Sequence, residues 1–332
     1  MINQEQYTTQ ILLDFGMDNC NAVKTPCPTF CLTMEMCPKT DDKRWEAAKL
    51  PYCALIRKCM YLSNCMCPDI SFAICKLVKF MSNYGPKHFE AAKYLLRYLQ
   101  GTHGRGIIYR NLPNPYPIFT SFTDSDWAMS KGRKSISGFI MQYANGPLTW
   151  SSKQQVVVML SLCKAEYITC SHCACQVLWL WTLFHKLGFL QTKPIPLYCD
   201  NQGTVACTHD PQSHSWMKHI DICAHFIRNS INKWLVNVHH IPSTENPVDL
   251  LTKLLYRTIY NKWLQHIAMH QDLLDNVSAP SGHRSQGGVG TWSRSTRHGH
   301  TISYFCCTIP LLFPSQSCHC IPFLFPQEYY LF

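Results

Sequence analysis

Between residues 118 and 265 the sequence alternates between two hydrophobic periods, and the order of those periods limits the fold more than any other feature. Ile118 to Thr123 alternates and is rich in β-formers before it meets Asp124 and Asp126. Gly138 to Tyr143 repeats that pattern, and Asn145-Gly146, a two-residue hairpin signal, precedes Leu148 to Ser151. Three strands in meander order are expected. A long helix follows from about Lys164 to Leu187, with Ile168, Cys175, Trp179 and Leu183 on one face and Gly188 as its stop. Ile195 to Cys199 reads as a short strand ending at Asp200. After it come a short helix beyond Asn201, a longer one near His219 to Ile231, a strand at Leu235 to Ile241 and a last helix from about Pro247. The order β-β-β-α-β-α-β-α, with one extra helix in the middle, belongs to a mixed-sheet α/β domain.

Upstream the periods differ. Residues 1–50 are rich in Thr, Cys and Pro with no sustained period and read as the end of something larger. From Leu50 to Thr102 the pattern is helical, with Phe89, Ala92, Leu96 and Leu99 at spacings of three, four and three. Beyond Ala279 the sequence becomes Gly/Ser/Arg/His-rich and then Pro-broken and aromatic, so residues 279–332 are expected to be a disordered or adventitious tail.

Composition narrows the function. The 332 residues carry 30 Lys+Arg against 20 Asp+Glu, a formal charge of +10, yet 46% are hydrophobic, which excludes wholesale disorder and suits a polyanionic partner, nucleic acid first. There is no apolar run of about 18 residues and no signal-peptide layout at the start, so an intracellular, non-membrane protein is expected, cytoplasmic (in a virus-like particle) or nuclear. The 20 cysteines raise zinc as an alternative. The groups Cys20, Cys27, Cys31, Cys37, then Cys170, His172, Cys173, Cys175, then Cys318, His319, Cys320 contain no two well-spaced pairs. Free thiols are the expectation.

Four carboxylates stand where an open sheet gathers residues at strand ends and helix starts: Asp124, Glu166, Asp200 and Asp249. Like charges brought together raise one another's pKa unless cations neutralise them, and oxygen ligands suit Mg²⁺ or Mn²⁺. Two such ions can clamp the attacking and leaving oxygens of a phosphodiester displacement. Taken singly, Asp124, Asp200 and Asp249 read equally well as solvated strand ends or helix caps.

The words around these acids occur in one order: Thr123-Asp124-Ser125-Asp126-Trp127-Ala128, Arg133-Lys134-Ser135-Ile136-Ser137-Gly138, Trp150-Ser151-Ser152-Lys153-Gln154, Ala165-Glu166-Tyr167-Ile168, Cys199-Asp200-Asn201-Gln202, Lys218-His219-Ile220-Asp221 and Asp249-Leu250-Leu251-Thr252-Lys253. This string resembles the ribonuclease H domain of copia-type LTR retrotransposon Pol polyproteins. Tyr52 to Ser71, with Pro68-Asp69-Ile70, and His88 to Thr102 resemble the segment joining reverse transcriptase to ribonuclease H, and Leu12 to Pro26 the last piece of reverse transcriptase. The resemblance covers residues 10–265. It implies a remnant of reverse transcriptase at 1–49, a small helical connection segment at 50–111 and a ribonuclease H-like domain at 112–265 with a mixed five-stranded sheet flanked by helices. There is no Tyr-x-Asp-Asp polymerase motif, so polymerase activity is not expected.

By the same resemblance Asp124, Glu166, Asp200 and Asp249 hold the metal, two ions of Mg²⁺ or Mn²⁺, and activate water to cut the RNA strand of an RNA:DNA hybrid, with Asp126 a weaker candidate ligand. Arg133, Lys134, Ser152 and Lys153 are candidates for contacts to the hybrid, which is read by shape and phosphates. His219, His225 and His239 are candidates for proton transfer. The reverse transcriptase domain missing from the chain is an implied partner. The chain departs from the family's arginines at Cys67, Cys175, Cys223 and Trp216, from an acid at Lys164, and from a proline at Leu254. These exchanges fit cytosine-to-thymine decay of a genomic copy, with Lys164 expected to compete with metal for Glu166, two residues away. A non-catalytic nucleic-acid-binding relic of the same fold is the alternative reading.

Overall fold

Tyr143 and Gly146 face each other across a two-residue turn, and from this hairpin the central sheet is built. The structure is a computed structural model and describes residues 1–109, 119–127, 133–189, 193–209 and 221–270. Strands β3 (Phe119–Asp126), β4 (Ile136–Tyr143) and β5 (Gly146–Gln154) form the antiparallel meander, and β6 (Ile195–Cys199) and β7 (Val236–His240) extend it in parallel beyond β3. The sheet order is β5-β4-β3-β6-β7, the mixed five-stranded sheet that the resemblance implies. β3, β4 and β5 begin earlier or run further than their apolar cores suggest, so Asp124 lies inside β3 and not at its end.

The turn itself differs from expectation. Its two left-handed residues are Ala144 and Asn145, with φ of 49° and 63°, and Gly146 is the first residue of β5. The reason lies across the hairpin: a Cβ on Gly146 would meet the Tyr109 ring at 2.8 Å, while the Tyr109 hydroxyl donates to the Pro147 carbonyl at 2.7 Å. Packing takes the glycine, and alanine bears the turn.

One face of the sheet is covered by α6 (Leu162–Lys186) and α8 (Asp221–Asn232), whose Tyr167, Cys170, Ala174, Val177 and Ile227 meet Phe119, Met141, Leu197 and Val238. Ser161 caps the start of α6 by accepting from the Lys164 amide at 3.4 Å. At the other end Gly188, at φ +85°, gives a Schellman close in which the Phe189 amide reaches the Phe184 carbonyl. The buried stripe is not the expected one, since Ile168 and Leu183 are half-buried and Trp179 is 48% exposed. The helix is apolar on nearly every side, so periodicity alone cannot select the face.

The opposite face, bearing Phe122, Ile140 and Trp150, is covered by the N-terminal part of the chain. There the helices are α1 (Glu5–Asp14), α2 (Asp41–Ala48), α3 (Tyr52–Cys65), α4 (Ser71–Val78) and α5 (Pro86–Gln100). α3 buries Tyr52, Leu55, Ile56, Cys59 and Leu62 at helical spacing, and each such side chain contributes roughly 1.5–3 kcal/mol by leaving water. The Trp150 indole donates to the Ser63 carbonyl at 2.7 Å, tying β5 to α3. Helices α1 and α2 arise in a stretch with no period in sequence.

α7 (Gln202–His209) follows β6, and the expected last helix is broken into α9 (Asp249–Thr252) and α10 (Arg257–His266). Tyr260 of α10 donates to the Asp69 carbonyl at 3.0 Å, and the Tyr98 hydroxyl donates to Asp69 Oδ2 at 2.6 Å, so the Pro68-Asp69-Ile70 turn joins α5 to α10. Short strands β1 (Ile2–Asn3), β2 (Gly106–Ile107) and β8 (Met269–His270) close a second sheet. Among the described residues no helix is long and apolar enough to cross a membrane. The tail at 279–332 lies outside them.

Candidate active site

β3 carries Asp124 on the face it shares with Phe122, toward α9, because strand side chains alternate. Its cross-strand neighbour is Gly138, followed by Ser152 on β5. A Cβ on Gly138 would stand 2.6 Å from Thr252 Cγ2 and 2.9 Å from Val248 Cγ1. The bare glycine therefore lets α9 lie on the sheet beside Asp124. Asn246 fixes the approach to α9, its Nδ2 donating to the Thr123 carbonyl at 2.8 Å and its Oδ1 accepting from the Val248 amide at 3.2 Å. Asp249 is then the first residue of α9, and Thr252 donates to Asp124 Oδ2.

Glu166 comes from the first turn and a half of α6, and its Oε1 accepts the Ser125 amide at 2.9 Å. Asp200 follows β6, and Asn201 beside it caps α7 by accepting the Thr204 amide at 2.9 Å. Ligand atoms of Glu166, Cys199 and Asp200 all lie within 4.8 Å of one another. The four sequence-identified acids act on one another electrostatically: Asp249 and Asp200 on Asp124, Asp124 and Asp200 on Glu166, and Asp200 on Asp249.

Their electrostatics follow from that crowding. Burial, against the pull of Lys253 and the Thr252 hydrogen bond, pushes Asp124 up to about 6, with Asp249 and Asp200 adding to the rise. Glu166 is held well above the usual carboxylate range by burial and then by Asp124, Cys199 and Asp200. Burial also raises Asp249, against Lys253. Lys253 is the cation of the set: Nζ lies 2.5 Å from Asp249 Oδ1 and 3.3 Å from Asp124 Oδ1. Burial would lower its pKa, but these two acids hold it above the usual lysine range. The sequence signal for Lys253 is its i,i+4 spacing from Asp249, a pairing distance on a helix. Gly138, Asn246 and Ser125 act through contacts distant in sequence and carry no such signal.

The remaining candidates divide. Ser152 shares the face of Asp124, whereas Lys153 lies on the α6 face near His172. Exposed Arg133 and half-buried Lys134 stand just before the residue of β4 that pairs with Asp126. Asp126 is buried at the end of β3, raised by burial against Lys76, Lys253 and Lys79. His239 is exposed beside Tyr198, His225 is exposed on α8, and His219 and Trp216 lie outside the described residues. His240, which no spacing singles out, pairs in register with Cys199, the neighbour of Asp200.

Lys164 lies two residues before Glu166 on α6, and residues two apart on a helix do not face each other. Cys170 and Cys173 face the core while His172 is exposed, so that group does not converge on a metal. Cys318, His319 and Cys320 lie outside the described residues.

No protein-family model matches the chain. It is 34% identical over 273 residues to the retrovirus-related Pol polyprotein from transposon TNT 1-94 of Nicotiana tabacum, covering 82% of this chain and 20% of that protein. To the retrovirus-related Pol polyprotein from transposon RE1 of Arabidopsis thaliana it is 32% identical, covering 81% of this chain and 18% of the relative. The crystal structure of LC11-RNase H1 in complex with RNA/DNA hybrid is similar over 40% of this chain and 93% of that one, at 17% identity and a TM-score of 0.30. The chain spans about a fifth of the length of these two Pol polyproteins. It belongs to the family of retrovirus-related Pol polyproteins of copia-type transposons.

Proposed function

We propose that this stretch is a ribonuclease H that hydrolyses the RNA strand of RNA:DNA hybrids during reverse transcription, with the polymerase supplied by other parts of a Pol polyprotein. The observation that carries the reading is the electrostatic action of Asp124, Glu166, Asp200 and Asp249, drawn from four separate elements, on one another. The donor set fits hard divalent cations. Buried carboxylates this close need positive charge, and here a side-chain ammonium is the positive charge they have.

Asp124, Glu166, Asp200 and Asp249 would hold Mg²⁺ or Mn²⁺, two ions in this proposal, which when bound supply Lewis-acid polarisation of the phosphoryl group and a more acidic water. The chain's own residues do the positioning. Thr252 orients Asp124, the Ser125 amide orients Glu166, and Gly138 admits the turn that delivers Asp249. Lys253 would give up its ion pairs with Asp124 and Asp249 when cations occupy the carboxylates. Arg133, Lys134, Ser152 and Lys153 are the proposed contacts to the hybrid backbone.

The Lys253 bridge also favours a second reading, a hybrid-binding relic whose carboxylates stay paired with lysine. A strand-labelled hybrid incubated with the full chain separates the two. RNA cutting that needs Mg²⁺ or Mn²⁺ and is lost in Asp200→Asn supports the nuclease. Intact RNA with a folded chain that binds the hybrid supports the relic.

A further inference from the structure

Two lysines outside the carboxylate site are unexplained by the fold. Lys76 lies on α4 and Lys79 at its C-cap, three residues apart and so on one side of the helix. Both are half-buried, and neither has a carboxylate within 4.0 Å or a hydrogen-bond partner among the described residues. The Lys76 ammonium rests over the Phe72 ring at 5.1 Å. Burial and the neighbouring Lys76 lower the Lys79 pKa. A partly desolvated cation with no carboxylate in ion-pair range costs free energy, and the weak dipole of an eight-residue helix rewards cations at its C-terminus without asking that they be buried.

Their position supplies the reason. α4 packs on β5, where Cys75 lies against Ser152 and Gln154. Ser152 stands on the cross-strand line through Gly138 to Asp124, and both lysines act on Asp126, two residues beyond Asp124 on the same face. Lys76 and Lys79 therefore flank the carboxylate site on the side opposite α6, from a part of the chain that precedes the sheet. A spacing of about 5–6 Å between Cβ atoms three residues apart on a helix suits neighbouring phosphates of one strand.

We propose that Lys76 and Lys79 form a phosphate-binding station that grips the backbone of a nucleic-acid duplex lying across the carboxylate site. The station rests on the ribonuclease H reading for its substrate. It makes α4 part of the substrate surface and not merely a cover for the sheet.

The test is fluorescence anisotropy of a labelled RNA:DNA hybrid with the full chain in EDTA, over a series of salt concentrations. The Lys76→Ala/Lys79→Ala chain is expected to bind at least about tenfold more weakly near 0.1 M salt. Its log–log salt slope is expected to be shallower by about 1.8, the value for two fewer neutralised phosphates. The Lys76→Arg/Lys79→Arg chain is expected to restore both. Circular dichroism and Tm establish that each variant is folded. Unchanged affinity and slope in a folded alanine variant overturn the station alone, as does a loss that arginine fails to restore. A wild-type chain that does not bind the hybrid overturns the station and the ribonuclease H reading together.

Discussion

The Lys253 ammonium stands 2.5 Å from Oδ1 of Asp249, one helical turn earlier, and this pair closes the carboxylate site on itself. On the proposed function, a divalent cation would displace it. Replacing Lys253 by methionine keeps the stem and removes the charge, so metal-free stability is expected to fall by about 1 kcal/mol, the pair being partly exposed. The gain in Tm on adding Mn²⁺ is expected to grow, since the ion no longer competes with a lysine. Thermal unfolding with and without Mn²⁺ checks both effects. A smaller Mn²⁺ gain in the variant would contradict the competition.

Gly138 is the seat of α9. A methyl group there meets Thr252, Val248 and Leu251, so Gly138→Ala is expected to cost about 1–3 kcal/mol by overpacking. By shifting Asp249 and Thr252 from Asp124, it is also expected to slow RNA cutting by up to about 10²-fold. Tm and single-turnover cleavage rates measure the two effects separately.

The raised carboxylates set a pH dependence with a definite sign. Asp124 keeps its proton to about pH 6 in the metal-free fold, whereas the unfolded chain loses it near the ordinary value of 3.8. Between these values the native state binds more protons, so this group's contribution to stability is present below the lower value and is lost as pH rises through the upper one. The Asp124→Asn chain, free of that titration, is expected to gain about 1–3 kcal/mol relative to wild type between roughly pH 4 and 7 in EDTA. Denaturant unfolding of both chains across that range tests the sign. A relative gain in the opposite direction would refute it.

Ala144 holds a left-handed conformation at φ 49° in the hairpin turn. Glycine adopts it without the Cβ clash, so Ala144→Gly is expected to stabilise the chain by about 0.5–1 kcal/mol, net of the greater freedom glycine gives the unfolded chain. Gly146→Ala is expected to destabilise it, because the added carbon meets Tyr109. Urea midpoints of the two variants should move in opposite directions.

Much of the sheet is legible in the sequence because its strands are short, β-rich and separated by turn residues. Ile195–Cys199 is located to the residue, and the meander order follows from the hairpin signal. What escapes depends on contacts remote in sequence. The buried stripe of α6 cannot be chosen from a helix apolar all round, the turn moves from Asn145-Gly146 to Ala144-Asn145 because of Tyr109, and α1 forms where no period announces it. The four acids are readable from the words around them. Lys253, which joins two of those acids, stands in plain view at the end of its motif, yet a helical spacing does not reveal which pair the fold will bury.

The most direct measurement of the central claim is the single-turnover rate of RNA-strand cutting in a saturating RNA:DNA hybrid with Mn²⁺. It compares the full chain with Asp124→Asn, Glu166→Gln, Asp200→Asn and Asp249→Asn. If the four side chains form one metal site, the wild type cuts and each amide variant is slower by at least about 10²-fold while still binding the hybrid. Cutting that survives any of the four replacements, or a folded wild-type chain that leaves the RNA intact, would contradict it.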